Sequence, residues 1–104
     1  MVEWCVVVYD KPNADRSQFR PAHLAGIPPL VEQGKLVCAG AIFNEIPQEG
    51  KPLNFAGSQL TIVADSKEEA LEVVKNDVFA KEGIWDLENI LIFPFGCAVR
   101  KEKK

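Results

Sequence analysis

Residues 56–75, which read AGSQLTIVADSKEEALEVVK, decide the fold. The first nine of them alternate, with Leu60 and Ile62 on one face and polar residues on the other, which predicts a strand with one wetter side. Ser66 and Glu69 then form a capping-box pattern, and the apolar residues behind it recur at helical spacing. A strand therefore leads directly into a helix that runs to about the end of this stretch.

Three further apolar runs predict the other strands of the same sheet. They cover residues 4–9, 36–43 and 89–95. The first run is rich in β-branched and aromatic residues and is apolar at both odd and even positions, which is typical of a strand buried on both faces. Pro94 is acceptable in the last run only near a sheet edge or a bulge.

A first helix is predicted between the first two of these runs. Pro21 favours the first helical position, and Gly34 is a typical C-terminal stop. Gly26 and the Pro28–Pro29 pair disfavour a continuous helix, so we expect a kink. The element order is then β-α-β-β-α-β, which predicts a ferredoxin-like α+β domain with an antiparallel sheet and both helices on one face.

Length and composition limit the classes of protein. The 104 residues, 47% of them hydrophobic, suffice for one core; we place the domain at residues 1–99 and a charged, frayed tail at 100–104. A net charge of -3 argues against a nucleic-acid partner. No apolar run approaches the ~20 residues of a membrane span, no export signal is visible, and the three dispersed cysteines suit a reducing compartment. We therefore expect a cytoplasmic protein with no membrane partner.

The sheet presents more apolar surface than two helices can cover. They can bury only one face, whereas residues 4–9 and 90–93 are apolar on both faces. We expect the second face to pack against the equivalent sheet of another copy, which makes the protein a homodimer. Cover by a ligand or by the chain's own loops is the alternative.

Short signatures along nearly the whole domain resemble a known family. They are RPAHLA at 20–25, GKL at 34–36, AG at 39–40 and GS at 57–58. The chain is similar to the YciI-like (YCII-related) family, most specifically around His23. The resemblance implies a dimeric α/β barrel with a site that uses a histidine and an aspartate. The Asp-Pro-aromatic motif of the family falls on Asp77-Val78-Phe79, where Val78 replaces the proline and puts the local turn in question.

His23 and Asp77 are the candidate catalytic residues. Near the start of the helix that Pro21 opens, the helix dipole favours a neutral imidazole, which can accept a proton. Asp77 follows the second helix, where the dipole disfavours a carboxylate, so we interpret it as the orienting partner of His23. Such a general base contributes about 10² to 10⁴ in rate. The alternatives are a packed structural histidine and an aspartate that caps a short turn at residues 78–81.

Arg20, Ser58 and Tyr9 are the candidate substrate-binding residues. Arg20 offers a planar fork to a substrate carboxylate, or else pairs with a nearby acid. The Ser58 hydroxyl either donates a hydrogen bond into the pocket or finds its hydrogen-bond partners within its own strand. Tyr9 and Trp85 are interpreted as core or pocket-wall residues in preference to a chemical role. No metal-ligand cluster, phosphate loop or dinucleotide fingerprint is visible, so we expect no metal and no cofactor.

Two functions are compatible with this pattern. The first is a cofactor-independent lyase, isomerase or hydrolase that acts on a small organic acid or ring-cleavage product, with an anionic group held by Arg20. The second is a non-catalytic dimeric module that binds a metabolite or another protein. The fold alone does not choose between them.

Overall fold

A computed structural model describes residues 2–103 as a four-stranded antiparallel sheet with helices packed on one side. The strands are β1 (Val2–Tyr9), β2 (Leu36–Phe43), β3 (Phe55–Ala64) and β4 (Leu91–Phe95). The helices are α1 (Arg20–Ala25), α2 (Ile27–Glu32), α3 (Lys67–Lys75) and α4 (Val78–Lys81), with short 3₁₀ helices at Arg16–Gln18 and Leu87–Asn89. Residues 1 and 104, which belong to the predicted domain and tail, lie outside the described residues.

The sheet order is β2-β3-β1-β4, and each neighbouring pair is antiparallel. This arrangement confirms the predicted α+β class. Within the described sheet β4 is an edge strand, and Pro94 lies opposite Trp4 in its register. An edge tolerates proline because one side of the strand has no ladder partner to lose.

The helix boundaries follow local sequence chemistry. At the start of α3, Ser66 Oγ accepts a hydrogen bond from the Glu69 backbone N–H at 3.2 Å, and Glu69 Oε2 accepts one from the Asp65 backbone N–H at 2.7 Å. The predicted first helix is broken at Gly26 into α1 and α2, as expected. It is followed by Gly34 at φ 73°, a left-handed conformation that glycine adopts without strain.

The core lies between the sheet and the helices. The even-numbered residues Val6 and Val8 of β1 and their neighbours Leu60 and Ile62 of β3 are each 4% exposed or less. Gly57 is needed beside them, because a Cβ at that position would clash with the backbone carbonyl of Val8. We name this side of the sheet the helix face.

The opposite side, which we name the open face, carries Cys5, Val7 and Tyr9 of β1 and Leu91, Phe93 and Phe95 of β4. Four of these side chains are strongly exposed: Leu91 is 52%, Tyr9 50%, Phe93 45% and Phe95 41% exposed. The apolar second face that the sequence predicts is therefore present, whereas the homodimer stays a prediction. The wetter side expected for β3 is only partly wet, because Thr61 lies between Cys5 and Cys38 and is buried.

The C-terminal segment is attached to the sheet at its first residue. Both terminal nitrogens of Arg100 donate hydrogen bonds to the Glu3 carboxylate, whereas the frayed tail expected over residues 100–104 stays a prediction. The hydrogen bonds from Arg100 hold the pKa of Glu3 below its ordinary value. Among the described helices, none has the length and apolar character needed to cross a bilayer.

Candidate active site

A cavity of about 140 Å³ lies between α1 and α2 on one side and β2 and β3 on the other. We name it the His23 pocket. Small residues of β2 leave the space, since Ala39, Gly40 and Ala41 line its wall. The lining residues that carry chemistry are Arg16, Arg20, His23 and Ser58. Arg20 and His23 are three residues apart on α1, a spacing that places side chains on the same helix face.

His23 and Asp77 are in direct contact. His23 Nδ1 lies 2.8 Å from both Oδ1 and Oδ2 of Asp77, and each side chain is 11% exposed. An ionised carboxylate can only accept hydrogen bonds, so in this pair Nδ1 carries a proton, and in the neutral form of the ring Nε2 is then the acceptor. Nε2 of His23 has no hydrogen-bond partner in the part of the chain that the structure describes. Within residues 2–103, every side-chain nitrogen or oxygen that is fully buried does have a partner, so Nε2 is not fully buried and solvent reaches it.

Two buried aromatic rings fix the orientation of the imidazole. The His23 ring stacks on Phe79 with centroids 4.1 Å apart and an interplanar angle of 13°, and it meets Trp85 edge-on at 5.8 Å. Phe79 and Trp85 are almost completely buried, so they do not move away easily. Trp85 belongs to the hydrophobic core, in agreement with its interpretation as a core or pocket-wall residue.

Asp77 has two roles at once. Its backbone is extended at the N-cap of α4, and its Oδ1 accepts a hydrogen bond from the Phe79 backbone N–H at 2.9 Å. The cap fixes the carboxylate that His23 contacts. Val78 occupies the first position of α4, where proline is favoured but not required, so its substitution leaves the turn intact.

The structure does not support a dipole effect of α1 on His23. The break at Gly26 limits α1 to six residues, so His23, its fourth residue, belongs to the last turn as well as to the first. The orientation of the ring depends on Asp77 and the two aromatic side chains.

Arg20 lines the His23 pocket and lies over the Phe55 ring, with 5.4 Å between its guanidinium carbon and the ring centroid. Within residues 2–103, no carboxylate lies within ion-pair distance of it. The alternative in which Arg20 pairs with a nearby acid is therefore not what the described structure shows. Its charge is available to a ligand.

Tyr9 is not brought into the pocket. Odd-numbered residues of β1 point to the open face, because side chains alternate along a strand. Tyr9 lies opposite Gly57 there and is 50% exposed. The predicted substrate-binding role at the His23 pocket is thus not supported by its position, whereas Ser58, opposite Val8 on the helix face, does line the pocket.

Sequence reasoning missed Arg16 and Asp10. Arg16 is 5% exposed, and its Nε and one terminal nitrogen donate to the two carboxylate oxygens of Asp10 at 2.9 and 2.7 Å. The guanidinium also lies over the rings of Phe55 and Phe79, 5.0 and 4.7 Å from their centroids. An arginine in a polar, turn-prone segment carries no burial signal of its own.

A wider depression of about 470 Å³ lies along the loop between β2 and β3, from Glu45 to Asn54. It lacks the single histidine of the chain and any paired acid and base, so we place the site at His23. In the described part of the chain, no three histidine, cysteine or acidic side chains are grouped as a metal site would need.

Comparison with known proteins defines the class. The model of the YCII-related domain matches residues 2–95, so the chain belongs to that family, as its signatures indicated. It is 34% identical to aspercryptin biosynthesis cluster protein B of Emericella nidulans, over 98% of this chain and 67% of that protein. It is 32% identical to fusaric acid biosynthesis protein 2 of Gibberella fujikuroi, over 89% of this chain and 91% of that protein.

A solved structure shares the architecture. It is the 5-chloro-2-hydroxyhydroquinone dehydrochlorinase TftG from Burkholderia phenoliruptrix AC1100, in complex with 2,5-dihydroxybenzoquinone. The TM-score is 0.74 at 25% sequence identity, and the match covers 90% of this chain and 93% of that one. This likeness confirms the α+β fold.

Proposed function

We propose that the chain is a cofactor-independent enzyme in which His23 removes a proton from a small, oxygen-rich carbon acid. One observation carries the proposal: His23 Nδ1 is held by both oxygens of Asp77 at 2.8 Å, while Nε2 is left open to solvent. A base fixed on one side and free on the other suits chemistry of the lyase, isomerase or hydrolase type.

The substrate class is suggested by the relatives and by the pocket. The relatives are named for the biosynthesis of small molecules, and the structural neighbour is named for a hydroxylated ring substrate and holds a dihydroxyquinone. The cavity of about 140 Å³ is below the ~300 Å³ at which pockets for drug-sized ligands begin. A small organic acid or hydroxylated ring, with an anionic group near Arg20, fits these limits.

The proposed step is a balanced proton transfer. Nε2 of His23 takes the proton from a C–H bond next to a carbonyl, the bonding pair forms a C=C bond, and the carbonyl π pair moves to oxygen, which gives an enolate or, in a ring, a phenolate. The imidazolium formed on His23 is stabilised by Asp77 through the Nδ1–H bond. Arg20 offsets the charge of the anion. Return of the proton elsewhere, or loss of a leaving group, completes the reaction.

Deuterium exchange tests this proposal. The probe is 2,5-dihydroxybenzoquinone in D₂O, whose keto tautomer has C–H bonds next to a carbonyl and so exchanges the ring hydrogens. Proton NMR follows the loss of the ring C–H signal with wild type and with His23→Gln. We expect the wild type to exchange the ring hydrogens about 10² to 10³ times faster than the variant. Equal rates for two folded proteins, checked by thermal unfolding, would overturn the proposal.

The non-catalytic binding module is the alternative, and one observation favours it. The N-cap bond from Asp77 to Phe79 explains the position of the carboxylate without any chemistry. If the probe binds with a measurable dissociation constant but wild type and His23→Gln exchange its hydrogens equally, this second function replaces the first.

We also propose that the chain is a homodimer through its open face, on the support of the exposed side chains Leu91, Phe93 and Phe95. Light scattering after size-exclusion chromatography tests it. We expect wild type to be a dimer at micromolar concentration and Phe93→Glu to be a monomer. Ile46→Glu is the matched control, because Ile46 is 84% exposed in the loop between β2 and β3 and should leave the dimer unchanged. A monomeric wild type would contradict this proposal.

A further inference from the structure

The hydroxyl of Ser58 is a buried polar group of the His23 pocket that contacts two protein donors. Ser58 is 3% exposed, and its Oγ accepts hydrogen bonds from a terminal nitrogen of Arg16 at 3.1 Å and from Trp85 Nε1 at 3.3 Å. A guanidinium and an indole N–H can only donate. Both acceptor sites of the hydroxyl oxygen are therefore occupied by protein donors.

The hydroxyl proton is consequently directed away from Arg16 and Trp85. Within residues 2–103, no protein atom accepts a hydrogen bond from Ser58 Oγ. Ser58 lines the same cavity as His23 and Arg20. A buried donor without an acceptor is costly, and an oxygen of a ligand in the cavity would supply the missing acceptor.

Arg16 strengthens this donor and leaves it chemically inert. Asp10 binds the guanidinium at two points, which fixes the fork and offsets its charge, so Arg16 is not a second free cation for an anionic ligand. A hydroxyl that accepts a hydrogen bond from a cation is polarised and donates more strongly. The same polarisation makes Oγ a poor nucleophile, since its lone pairs are occupied.

We propose that Ser58 donates a hydrogen bond to the substrate oxygen that becomes negative when His23 removes the proton. This inference rests on the proposed function and narrows its substrate class. The substrate is a carbon acid whose reacting C–H bond lies next to a carbonyl, which includes the keto tautomer of a ring hydroxyl. The C–H bond breaks, its electron pair forms a C=C bond, and the carbonyl π pair moves to the oxygen that Ser58 contacts. Nε2 of His23 receives the proton, and the O–H bond of Ser58 stays intact.

The test compares Ser58→Ala with Thr61→Val. Thr61 is the matched control, because it is a buried hydroxyl on the same strand that faces the other side of the sheet and accepts a hydrogen bond from Gln59 Nε2 at 3.0 Å. For 2,5-dihydroxybenzoquinone we expect Ser58→Ala to raise the dissociation constant about tenfold or more and to slow deuterium exchange. Thr61→Val should match wild type in both. If the two variants bind and exchange alike, the inference is wrong.

Ser58→Cys keeps the test decisive if Ser58→Ala does not fold. The thiol keeps a weak acceptor for Arg16 and Trp85 but is a poor donor, so we expect binding weaker than wild type. Wild-type affinity in a folded Ser58→Cys protein would overturn the inference. Failure of the proposed function has a different signature: His23→Gln then exchanges like wild type, whatever Ser58→Ala does to binding.

Discussion

Two buried pairs of a carboxylate and a basic side chain contribute to the His23 pocket, Asp10–Arg16 and Asp77–His23, and they differ in the chemistry of the basic group. Asp10 and Arg16 are 10% and 5% exposed, and His23 and Asp77 are both 11% exposed. Each pair makes a two-point contact with a carboxylate. The guanidinium is permanently charged, however, whereas the imidazole is charged only when protonated and keeps a second nitrogen free. The first pair suits a structural role, and the second suits proton transfer.

The largest expected effect comes from breaking the permanent pair. Asp10→Asn leaves Arg16 buried without a carboxylate, and we expect a loss of about 3 to 5 kcal/mol in the free energy of unfolding, measured in urea. Asp15→Asn is the control, because Asp15 is an exposed acid in the same segment that caps a short 3₁₀ helix. Similar losses in the two variants would mean that the Asp10–Arg16 pair has no special structural weight.

The second effect separates the two roles of Asp77. Asp77→Ser keeps a good N-cap for α4 but removes the carboxylate from His23, whereas Asp77→Ala removes both. We expect deuterium exchange to fall about 10²-fold in both variants, because the base loses its orienting partner. The free energy of unfolding should fall by about 1 kcal/mol in Asp77→Ala and less in Asp77→Ser. If Asp77→Ser exchanged deuterium at the wild-type rate, Asp77 would act only as the N-cap of α4.

The smallest effect concerns an exposed pair far from the pocket. Hydrogen bonds from Arg100 lower the pKa of Glu3 from its ordinary 4.5. The stability that the pair adds to the folded state is therefore complete above pH 4.5 and is lost as the pH falls through the lowered pKa. Exposed pairs of this kind contribute little. We expect Arg100→Gln to change the thermal midpoint only slightly at neutral pH and not at all in acid. A loss comparable to that of Asp10→Asn would show that burial does not determine the weight of these pairs.

Most of the fold was predictable because its signals are local. The capping pattern at Ser66 determined where α3 begins, and the apolar run Leu36–Phe43 gave β2 with its observed bounds. The orientation of β1 was not predictable in the same way. Its residues are apolar on both faces, so alternation could not tell that Tyr9 points to the open face and Val8 to the core.

The candidate site was only partly predictable. His23 and Asp77 could be named from the family resemblance, and the structure brings them together. Arg16 could not be named, because its burial depends on Asp10, Ser58 and two aromatic rings that only the folded sheet and helices bring together. The Ser58 hydroxyl was a candidate hydrogen-bond donor, but the direction of its O–H bond depends on Arg16, which the sequence did not indicate.

The most direct test of the central claim is the tautomer of His23, read from the ¹⁵N NMR spectrum of its imidazole at a pH high enough for a neutral ring. The chain has one histidine, so the assignment is unambiguous. We expect a proton on Nδ1 and an unprotonated Nε2 in wild type, with this preference weakened in Asp77→Ser. A neutral ring with its proton on Nε2 in wild type would contradict this expectation, because the nitrogen that is not bound to Asp77 would then be a donor and not a base.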